Sequence, residues 1–217
     1  METSGTDLSA RLAKLRATHC DQLPTPQMAV LTRLTARLRR SGILNRCLQP
    51  GETAPDFSFI DAENNQASLY ELLESGPVVI NFYRGLWCPY CKTELEAFEA
   101  IRDELESIGC HYLALTPQHP PEETSGPLHL IFDRNNQIAR TFDLVYSLVS
   151  EEIALFDEWG VHIDEVNESG NWDLPLPATY VIATDRTVAF QFVDVDFRTR
   201  CCPNLLVDEV KALLRQA

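Results

Sequence analysis

The pentapeptide Trp87-Cys88-Pro89-Tyr90-Cys91 contains the residues best suited to chemistry. It stands where an apolar run typical of a buried strand, Pro77 to Tyr83, gives way to the start of an amphipathic helix. The free backbone N–H groups and the dipole at a helix N-terminus both stabilise an anion. We therefore expect a lowered pKa and a thiolate at Cys88, with Cys91 one turn later, more buried and within disulfide reach.

Thiol redox chemistry has to be weighed against metal binding and a structural disulfide. A zinc site needs four ligands, and the sequence contains neither a second Cys-x-x-Cys nor a His-x-x-x-His pair. The N-terminal residues lack the features of a secretion signal, so we expect a cytoplasmic, reducing location, which disfavours a structural disulfide. Gly-x-Gly-x-x-Gly and Gly-x-x-x-x-Gly-Lys are also missing. We therefore expect no metal and no nucleotide, nicotinamide or flavin cofactor, and the thiols themselves would carry the electrons.

The composition limits the class of protein and its partners. The chain has 217 residues, 45% of them hydrophobic, which is enough to bury a core without a metal or an obligate partner. A net charge of −14 disfavours nucleic acid as a partner, because phosphate binding depends on lysine and arginine. No apolar run approaches the roughly 20 residues that span a bilayer, so we expect a soluble protein without a membrane partner.

Charge and periodicity divide the chain into two parts. Residues 1–50 carry a net charge of +5, whereas residues 51–217 carry −19. Leucines recur at helical spacing on both sides of Pro24 and Pro26, which predicts a helical hairpin. We place this N-terminal helical extension at residues 1–48.

The second helix of the hairpin carries several arginines, among them Arg33, Arg37 and Arg40. We expect them to form a solvated helix face, since arginine is mostly exposed. Docking onto acidic surface of this subunit, or of a neighbour, is the alternative. Neither interpretation gives them a catalytic role.

Residues 49–217 have the pattern of one α/β domain. We predict a small hairpin at 57–69, a short helix at 69–73, a buried strand at 77–83 and an amphipathic helix whose apolar stripe spans 95–108. Two strands at 111–115 and 128–132, a short helix at 136–142, and an acidic amphipathic helix with a loop after it at 150–173 come next. The last predicted elements are two strands at 179–183 and 188–193 and a C-terminal helix at 203–213. The order of strand, helix and strand is that of a βαβ unit. The connection from Leu115 to Leu128 is rich in proline and too short for a crossover helix, so we expect a loop there.

Four segments carry a family resemblance, at residues 50–57, 81–95, 131–139 and 176–182. Together with the N-terminal hairpin, they are similar to the peroxiredoxin-like branch of the AhpC/TSA (alkyl hydroperoxide reductase/thiol-specific antioxidant) family. The resemblance implies a thioredoxin-like (peroxiredoxin-like) three-layer α/β fold with a central mixed sheet. It also implies a homodimer, a hydroperoxide substrate, and a cis-proline at Pro177 facing the redox cysteines.

The cysteine motif departs from that family in one respect. A peroxiredoxin typically carries Pro-x-x-x-Thr-x-x-Cys, in which the threonine orients the peroxide and the cysteine attacks it. Aligning Cys91 with the attacking cysteine puts Cys88 in place of the threonine and Arg84 in place of the proline. In the manner of thioredoxin and glutaredoxin, Cys88 would instead be the nucleophile and Cys91 the resolving thiol. We favour Cys88, and the choice stays open.

Peroxide cleavage also needs a cation near the thiolate. Arg84 lies four residues before Cys88, and Arg200 follows the last strand in a segment where the family often carries arginine. Both are candidate catalytic residues, and a surface position is the alternative for Arg200. Candidate substrate-binding residues around them are Tyr83, Trp87 and Pro177.

The vicinal pair Cys201 and Cys202 is not part of the family pattern. The pair could supply a resolving thiol if the turn before the last helix lies near Cys88. Free cysteine is nevertheless among the most often buried residue types, and we expect the same inert burial for Cys20, Cys47 and Cys110.

The leading hypothesis is a thiol-dependent, peroxiredoxin-like antioxidant enzyme. Cys88 would attack a hydroperoxide, its sulfenic acid would condense with Cys91, and thioredoxin, glutaredoxin or glutathione would reduce the disulfide. The first alternative is a thiol-disulfide oxidoreductase, which the intact Cys-x-x-Cys favours. The second is a non-catalytic redox sensor or interaction protein that binds a partner through its basic N-terminal and acidic segments.

Overall fold

A helical hairpin precedes the sheet in the computed structural model, which describes residues 8–61, 65–119 and 130–215. Helices α1 (Leu8–Gln22) and α2 (Thr25–Arg40) are joined at Pro24, and the short α3 (Ile43–Arg46) follows. Pro24 is the N-cap of α2, a position where proline's fixed φ is compatible with a helix start. The predicted helical hairpin is confirmed.

A small antiparallel hairpin opens the α/β part of the chain, as predicted. Strands β1 (Ser58–Ile60) and β2 (Gln66–Ser68) pair with each other, and α4 (Leu69–Leu73) follows at once. Ser68 and Glu71 form a capping box at the start of α4, which satisfies backbone N–H groups that a helix N-terminus leaves free.

The remaining elements follow in the predicted order, with a few additions. They are β3 (Val78–Phe82), α5 (Pro89–Glu99), α6 (Arg102–Ser107), β4 (His111–Thr116), β5 (Leu130–Phe132), a 3₁₀ turn (Arg134–Asn136), α7 (Gln137–Thr141), β6 (Val145–Ser147), α8 (Ser150–Glu158), α9 (Ile163–Val166), β7 (Asp173–Pro175), β8 (Ala178–Ile182), β9 (Val188–Val193) and α10 (Pro203–Leu214). No helix among the described residues is long and apolar enough to cross a membrane.

Five of these strands form a central mixed sheet in the order β5-β4-β3-β8-β9. Strand β3 is parallel to β4 and antiparallel to β8, and every residue of β3 and β8 is buried, as strands covered on both faces require. Phe82, Phe142 and Tyr180 pack together on one side of the sheet, and Tyr180 meets both phenylalanine rings edge to face. Val79 and Val181 belong to a cluster that includes residues of α5 and α10. The predicted mixed α/β sheet is confirmed.

Three local predictions differ from the structure. The single helix predicted from the cysteine motif to Ile108 is two helices, α5 and α6, which break at Ala100 and Ile101, while Leu95, Phe98 and Leu105 stay buried. Strands β6 and β7 pair as a separate ribbon that was not predicted, because three-residue strands give no periodic signal. Helix α9 occupies part of the loop expected after α8. Most of the loop predicted between β4 and β5 lies outside the described residues.

The N-terminal hairpin is docked on the rest of the molecule by charge pairs. Arg33 of α2 pairs with Glu151 at 2.7 Å, and Arg37 pairs with the buried Glu152 at 2.6 Å. The solvated face expected for these arginines is therefore wrong for Arg37, whereas Arg33 and Arg40 are exposed as expected. The reason is that the first turn of α8, where the helix dipole favours acidic side chains, lies against the basic α2. The domain boundary placed between residues 48 and 49 stays a prediction.

Candidate active site

Cys88 lies at the junction between β3 and α5. It is the N-cap of α5, with extended backbone, and its carbonyl oxygen accepts a hydrogen bond from the N–H of Lys92 at 3.1 Å. Pro89 opens the helix, where its missing N–H loses no partner. The turn before it needs Gly85, whose φ is +143° and at which a Cβ would lie 2.4 Å from the indole nitrogen of Trp87. The local sequence thus places Cys88 at the positive end of a helix.

Both cysteines of the motif are free thiols, and both are fully buried. The prediction that Cys91 is the more buried of the two is therefore wrong, because Cys88 is covered as well. Part of the cover is the N-terminal hairpin: Leu8, Leu12 and Leu31 belong to the same apolar cluster as the two cysteines. The hairpin is thus part of the surroundings of the site, which the sequence did not predict.

A buried guanidinium lies against Cys88. Arg84 Nη2 donates a hydrogen bond to Cys88 Sγ at 3.2 Å. The guanidinium carbon of Arg84 lies 4.0 Å from the ring centre of Phe197 and 5.0 Å from that of Trp87, so two aromatic rings hold it. Within the described part of the chain, Nε and Nη1 of Arg84 are buried and have no partner at hydrogen-bond geometry, although Tyr146 lies close enough to the guanidinium for Arg84 to oppose the rise in the pKa of its hydroxyl. The cation beside Cys88 therefore has two nitrogens that can donate hydrogen bonds to a ligand.

A second buried guanidinium lies against Cys91. Arg200 Nη2 donates to Cys91 Sγ at 3.3 Å, and Arg200 Nε donates to the carbonyl oxygen of Phe197 at 2.9 Å. The remaining nitrogen, Nη1, forms an ion pair with Glu94. Only 1% of the side chain of Arg200 is exposed, so the surface alternative does not describe it. Every nitrogen of this guanidinium has a partner.

The two thiols have pKa values shifted in opposite directions. Burial raises the pKa of Cys88, but a hydrogen bond from Cys91 and the charges of Arg84 and Arg200 outweigh burial and bring it well below its ordinary value. Burial and the neighbouring Cys88 thiolate raise the pKa of Cys91 well above its ordinary value. The arrangement therefore favours a thiolate at Cys88 and a protonated thiol at Cys91, which is the state that nucleophilic attack by Cys88 needs.

A polar network next to Arg200 was not predicted. Burial raises the pKa of Glu94, although Arg200 and a hydrogen bond from Asn81 oppose the shift. Asn81 also donates to the hydroxyl of Tyr112 at 3.2 Å and accepts from that of Thr179 at 3.4 Å. Two signals in the sequence could have revealed this network. One is a polar residue inside the apolar run of β3, and the other is an acidic residue on the apolar face of α5.

The three candidate substrate-binding residues have different surroundings. Tyr83 is buried in the cluster that holds the cysteines, and Trp87 lies beside the guanidinium of Arg84. Pro177 is buried where β7 passes into β8, and its peptide bond is trans. The cis-proline expected at this position is therefore wrong. The trans bond is the ordinary state of a peptide bond before proline.

The other buried cysteines whose side chains are described belong to apolar clusters other than that of the motif. Cys201 is buried in a different apolar cluster from that of Cys88, and Cys202 is exposed at the start of α10. Cys47 and Cys110 are buried, as expected. The side chain of Cys20 lies outside the described residues.

A cavity of about 310 Å³, which we name the hairpin pocket, lies beside the cysteine motif. Its walls come from the N-terminal hairpin, the motif and α8 with the residues that follow it, and they include His19, Leu23, Leu31, Trp87, Tyr90 and Trp159. Arg84 also lines this pocket. The pocket thus leads to the guanidinium that holds the sulfur of Cys88.

Comparison with known sequences identifies the family. A sequence model of the AhpC/TSA family matches residues 50–191, which is more than half of the chain. The chain belongs to this family. The matched residues include the cysteine motif and Arg84, whereas the N-terminal hairpin and Arg200 lie outside them. No curated protein sequence matches the chain.

Solved structures of peroxiredoxins have a similar fold. Peroxidoxin BcpB from Mycobacterium tuberculosis is 20% identical, with a TM-score of 0.55 over 76% of this chain and 98% of that one. The reduced 2-Cys peroxiredoxin of Plasmodium vivax is 15% identical, with a TM-score of 0.55 over 77% and 97%. The yeast mitochondrial 1-Cys peroxiredoxin is 14% identical, with a TM-score of 0.57 over 78% of both chains. At these identities the similarity shows the peroxiredoxin-like thioredoxin fold.

Proposed function

We propose that the protein is a thiol-dependent peroxidase that reduces hydroperoxides through Cys88 and Cys91. The observation that carries the proposal is the buried guanidinium of Arg84, which bonds to Cys88 Sγ and keeps two donors free. A cation in this position stabilises a thiolate and can bind the oxygen of a peroxide. Membership of the AhpC/TSA family supports the same conclusion.

In the first step, the thiolate of Cys88 attacks the outer oxygen of the hydroperoxide. A sulfur–oxygen bond forms as the oxygen–oxygen bond breaks, so the sulfur is oxidised to a sulfenic acid and the other oxygen leaves with the electron pair. The free donors of Arg84 stabilise that leaving oxygen, which takes a proton to become an alcohol, or water when the substrate is hydrogen peroxide. Because Cys88 is fully buried, Trp87 and Phe197 beside Arg84 have to shift before the peroxide reaches the sulfur.

In the second step, Cys91 resolves the sulfenic acid. The thiol of Cys91 gives up its proton, and its sulfur attacks the sulfur of Cys88. The disulfide forms as the sulfur–oxygen bond breaks, and the hydroxide leaves as water after taking a proton. Arg200 opposes the rise in the pKa of Cys91 and so favours the thiolate that this step needs.

An external thiol donor completes the cycle by reducing the disulfide. Thioredoxin, glutaredoxin and glutathione are the candidate donors, and the yeast 1-Cys peroxiredoxin is described with glutathione and thioredoxin systems. A homodimer and a cytoplasmic location, both expected at the start, stay predictions.

Stopped-flow oxidation of the reduced protein tests the proposal. We expect hydrogen peroxide or an organic hydroperoxide to oxidise it with a second-order rate constant above about 10⁴ M⁻¹s⁻¹, the low end of ordinary enzyme efficiency. Peptide mapping by mass spectrometry should find a disulfide between Cys88 and Cys91. Slow oxidation by every peroxide, or a disulfide elsewhere, would contradict the proposal.

A thiol-disulfide oxidoreductase is the second candidate function. The intact Cys-x-x-Cys favours it, whereas the buried guanidinium of Arg84 beside Cys88, which is suited to a peroxide oxygen, favours the peroxidase. Fast reduction of insulin together with slow peroxide turnover would establish this candidate. Negligible turnover in both assays would favour a redox sensor or interaction protein.

A further inference from the structure

The hairpin pocket is larger and more apolar than a hydrogen peroxide molecule requires. Its volume of about 310 Å³ is at the lower end of the range of about 300–1,000 Å³ typical of small-molecule sites. One water, by comparison, occupies about 30 Å³ of liquid. Most of its lining residues are aromatic or aliphatic: the hairpin contributes leucines, and the motif and α8 contribute aromatic rings. An apolar group of about a dozen atoms therefore fits the pocket in size and polarity.

The charged group of the pocket lining, Arg84, lies where the pocket meets the cysteine motif. Arg84 is 2% exposed, and its Nε and Nη1 have no partner in the described chain. An oxygen bound to Nη1 lies close to Cys88 Sγ, because Nη1 shares one edge of the rigid guanidinium with Nη2, which already bonds to that sulfur. A ligand in the pocket therefore needs a polar, oxygen-bearing end and an apolar body.

Hydrogen bonds and ring contacts connect the hairpin side of the pocket to its other walls. His19 Nδ1 lies 3.2 Å from the hydroxyl of Tyr90, and the two rings meet edge to face. Burial lowers the pKa of His19, so its imidazole is uncharged at neutral pH. Across the pocket, the indole nitrogen of Trp159 donates to Gln27 of α2 at 3.0 Å. These contacts fix the hairpin as one wall of the pocket without adding a charge.

We propose that the hairpin pocket binds the organic group of a bulky apolar hydroperoxide, and that Leu23, Leu31 and Trp159 determine a preference for such substrates over hydrogen peroxide. The inference rests on the proposed peroxidase function. Leu23 and Leu31 lie outside the residues that match the family, whereas Trp159 lies inside them, so the N-terminal hairpin of this chain completes a pocket that the family region alone does not form. The reaction at sulfur is unchanged: the thiolate takes the outer oxygen, and the organic group leaves as its alcohol.

Rate constants for two peroxides test the preference. The reduced protein is oxidised with cumene hydroperoxide and with hydrogen peroxide, and the ratio of the two rate constants is divided by the same ratio for free cysteine. We expect a normalised ratio of at least about ten, since a well-filled apolar pocket discriminates by about ten- to 200-fold. The variant Leu23→Trp fills the pocket and should lower this ratio about tenfold. Leu15→Trp, a matched change at a partly buried leucine of α1 that does not line the pocket, should leave the ratio as it is.

Binding of the product alcohol gives a readout that needs no turnover. Cumyl alcohol is titrated into the protein while the indole N–H signals of its three tryptophans are followed by NMR. We expect the signals of Trp87 and Trp159, which line the pocket, to shift, and that of Trp172 to stay in place. The shifts should be lost in Leu23→Trp.

The outcomes separate this inference from the proposed function. If both peroxides react at a normalised ratio near one and Leu23→Trp changes nothing, the inference is overturned and the peroxidase function stands. If neither peroxide reacts, the proposed function is overturned. Cumyl alcohol shifts at Trp87 and Trp159 would then still support an apolar ligand for the hairpin pocket, and the lack of such shifts would overturn the inference as well.

Discussion

Two arginines are buried beside the two cysteines, and they differ in what else they touch. Arg200 uses its three nitrogens on Cys91, on Glu94 and on a backbone carbonyl oxygen. Arg84 uses one nitrogen on Cys88, and among the described residues it forms no ion pair with a carboxylate. Arg200, whose nitrogens all have partners, is suited to holding a residue in place. Arg84, which has nitrogens without partners, is suited to binding a ligand.

The same contrast explains why the thiolate is expected at Cys88. A buried cation is costly unless a negative charge lies beside it. Glu94 supplies that charge for Arg200, whereas the Cys88 thiolate is the main opposite charge next to Arg84. Ionisation of Cys88 and burial of Arg84 therefore stabilise each other, which ties the reactivity of the site to an arginine without an acidic partner.

The largest effect is expected from removing one sulfur at a time. Cys88→Ser should lower the rate of oxidation by peroxide at least a thousandfold, because the attacking thiolate is gone. Cys91→Ser should keep the first oxidation and accumulate a sulfenic acid at Cys88, since the resolving thiol is missing. Stopped-flow kinetics and mass spectrometry with a sulfenic acid trap measure both. Fast oxidation in Cys88→Ser, with loss of reaction in Cys91→Ser, would reverse the roles assigned to the two cysteines.

Replacing each arginine by methionine should give different defects. Arg84→Met should lower the peroxide rate constant by about 10²- to 10³-fold, the usual effect of removing a donor that stabilises a developing charge. Arg200→Met leaves Glu94 buried and unpaired, so we expect a loss of about 3–5 kcal/mol in the free energy of unfolding. Peroxide kinetics and urea unfolding of the reduced proteins measure the two effects.

A double variant separates structure from catalysis in this comparison. Adding Glu94→Gln to Arg200→Met removes the unpaired carboxylate and should recover much of the lost stability. The rate of disulfide formation should stay low, because Cys91 still lacks the cation beside it. An equal loss of stability in Arg84→Met and Arg200→Met would mean that the two arginines do not differ in the way their contacts indicate.

The pH dependence of the rate should differ from that of an ordinary thiol. The lowered pKa of Cys88 keeps more of the thiol ionised, so the rate of oxidation should fall less between pH 8 and pH 6 than that of free cysteine, which loses nearly a hundredfold. The lowered pKa of Cys88 also makes the free energy of unfolding depend on pH. The contribution of Cys88 is fully present above the ordinary thiol pKa and is lost as pH falls through the pKa that Cys88 has in the folded protein. The raised pKa of Cys91 acts in the opposite direction, and its contribution is lost as pH rises above the ordinary value. A steep fall in the wild-type rate below pH 8 would contradict the lowered pKa of Cys88.

Much of the fold could be predicted because its signals are local. The apolar run of β3, the leucine spacing around Pro24 and the position of the cysteines at a helix start all follow from neighbouring residues. The break between α5 and α6 and the pairing of β6 with β7 depend on tertiary packing, and nothing in the local sequence marks them. The peptide bond at Pro177 was assigned by family resemblance, and the structure corrected it.

The surroundings of the candidate site were harder to predict, because they depend on contacts between distant parts of the chain. The sequence identifies Arg84 by its spacing from Cys88, but it does not show that two of its nitrogens lack partners. It shows a basic hairpin and an acidic α8, but not that their contact covers the cysteines and forms a pocket. These properties arise where segments more than a hundred residues apart meet, as Arg37 and Glu152 do.

The smallest effect concerns the charge pairs that hold the hairpin. Arg37→Met removes the partner of the buried Glu152 and should loosen α2, so the buried Cys88 should react about two- to fivefold faster with iodoacetamide. Arg40→Met is the matched control, because Arg40 lies on the same helix and is exposed, and it should leave the rate unchanged. If the two variants alkylate at the same rate, access to Cys88 does not depend on the docking of the hairpin. A faster reaction in Arg37→Met alone would show that the segment outside the family region controls access to the thiolate beside Arg84.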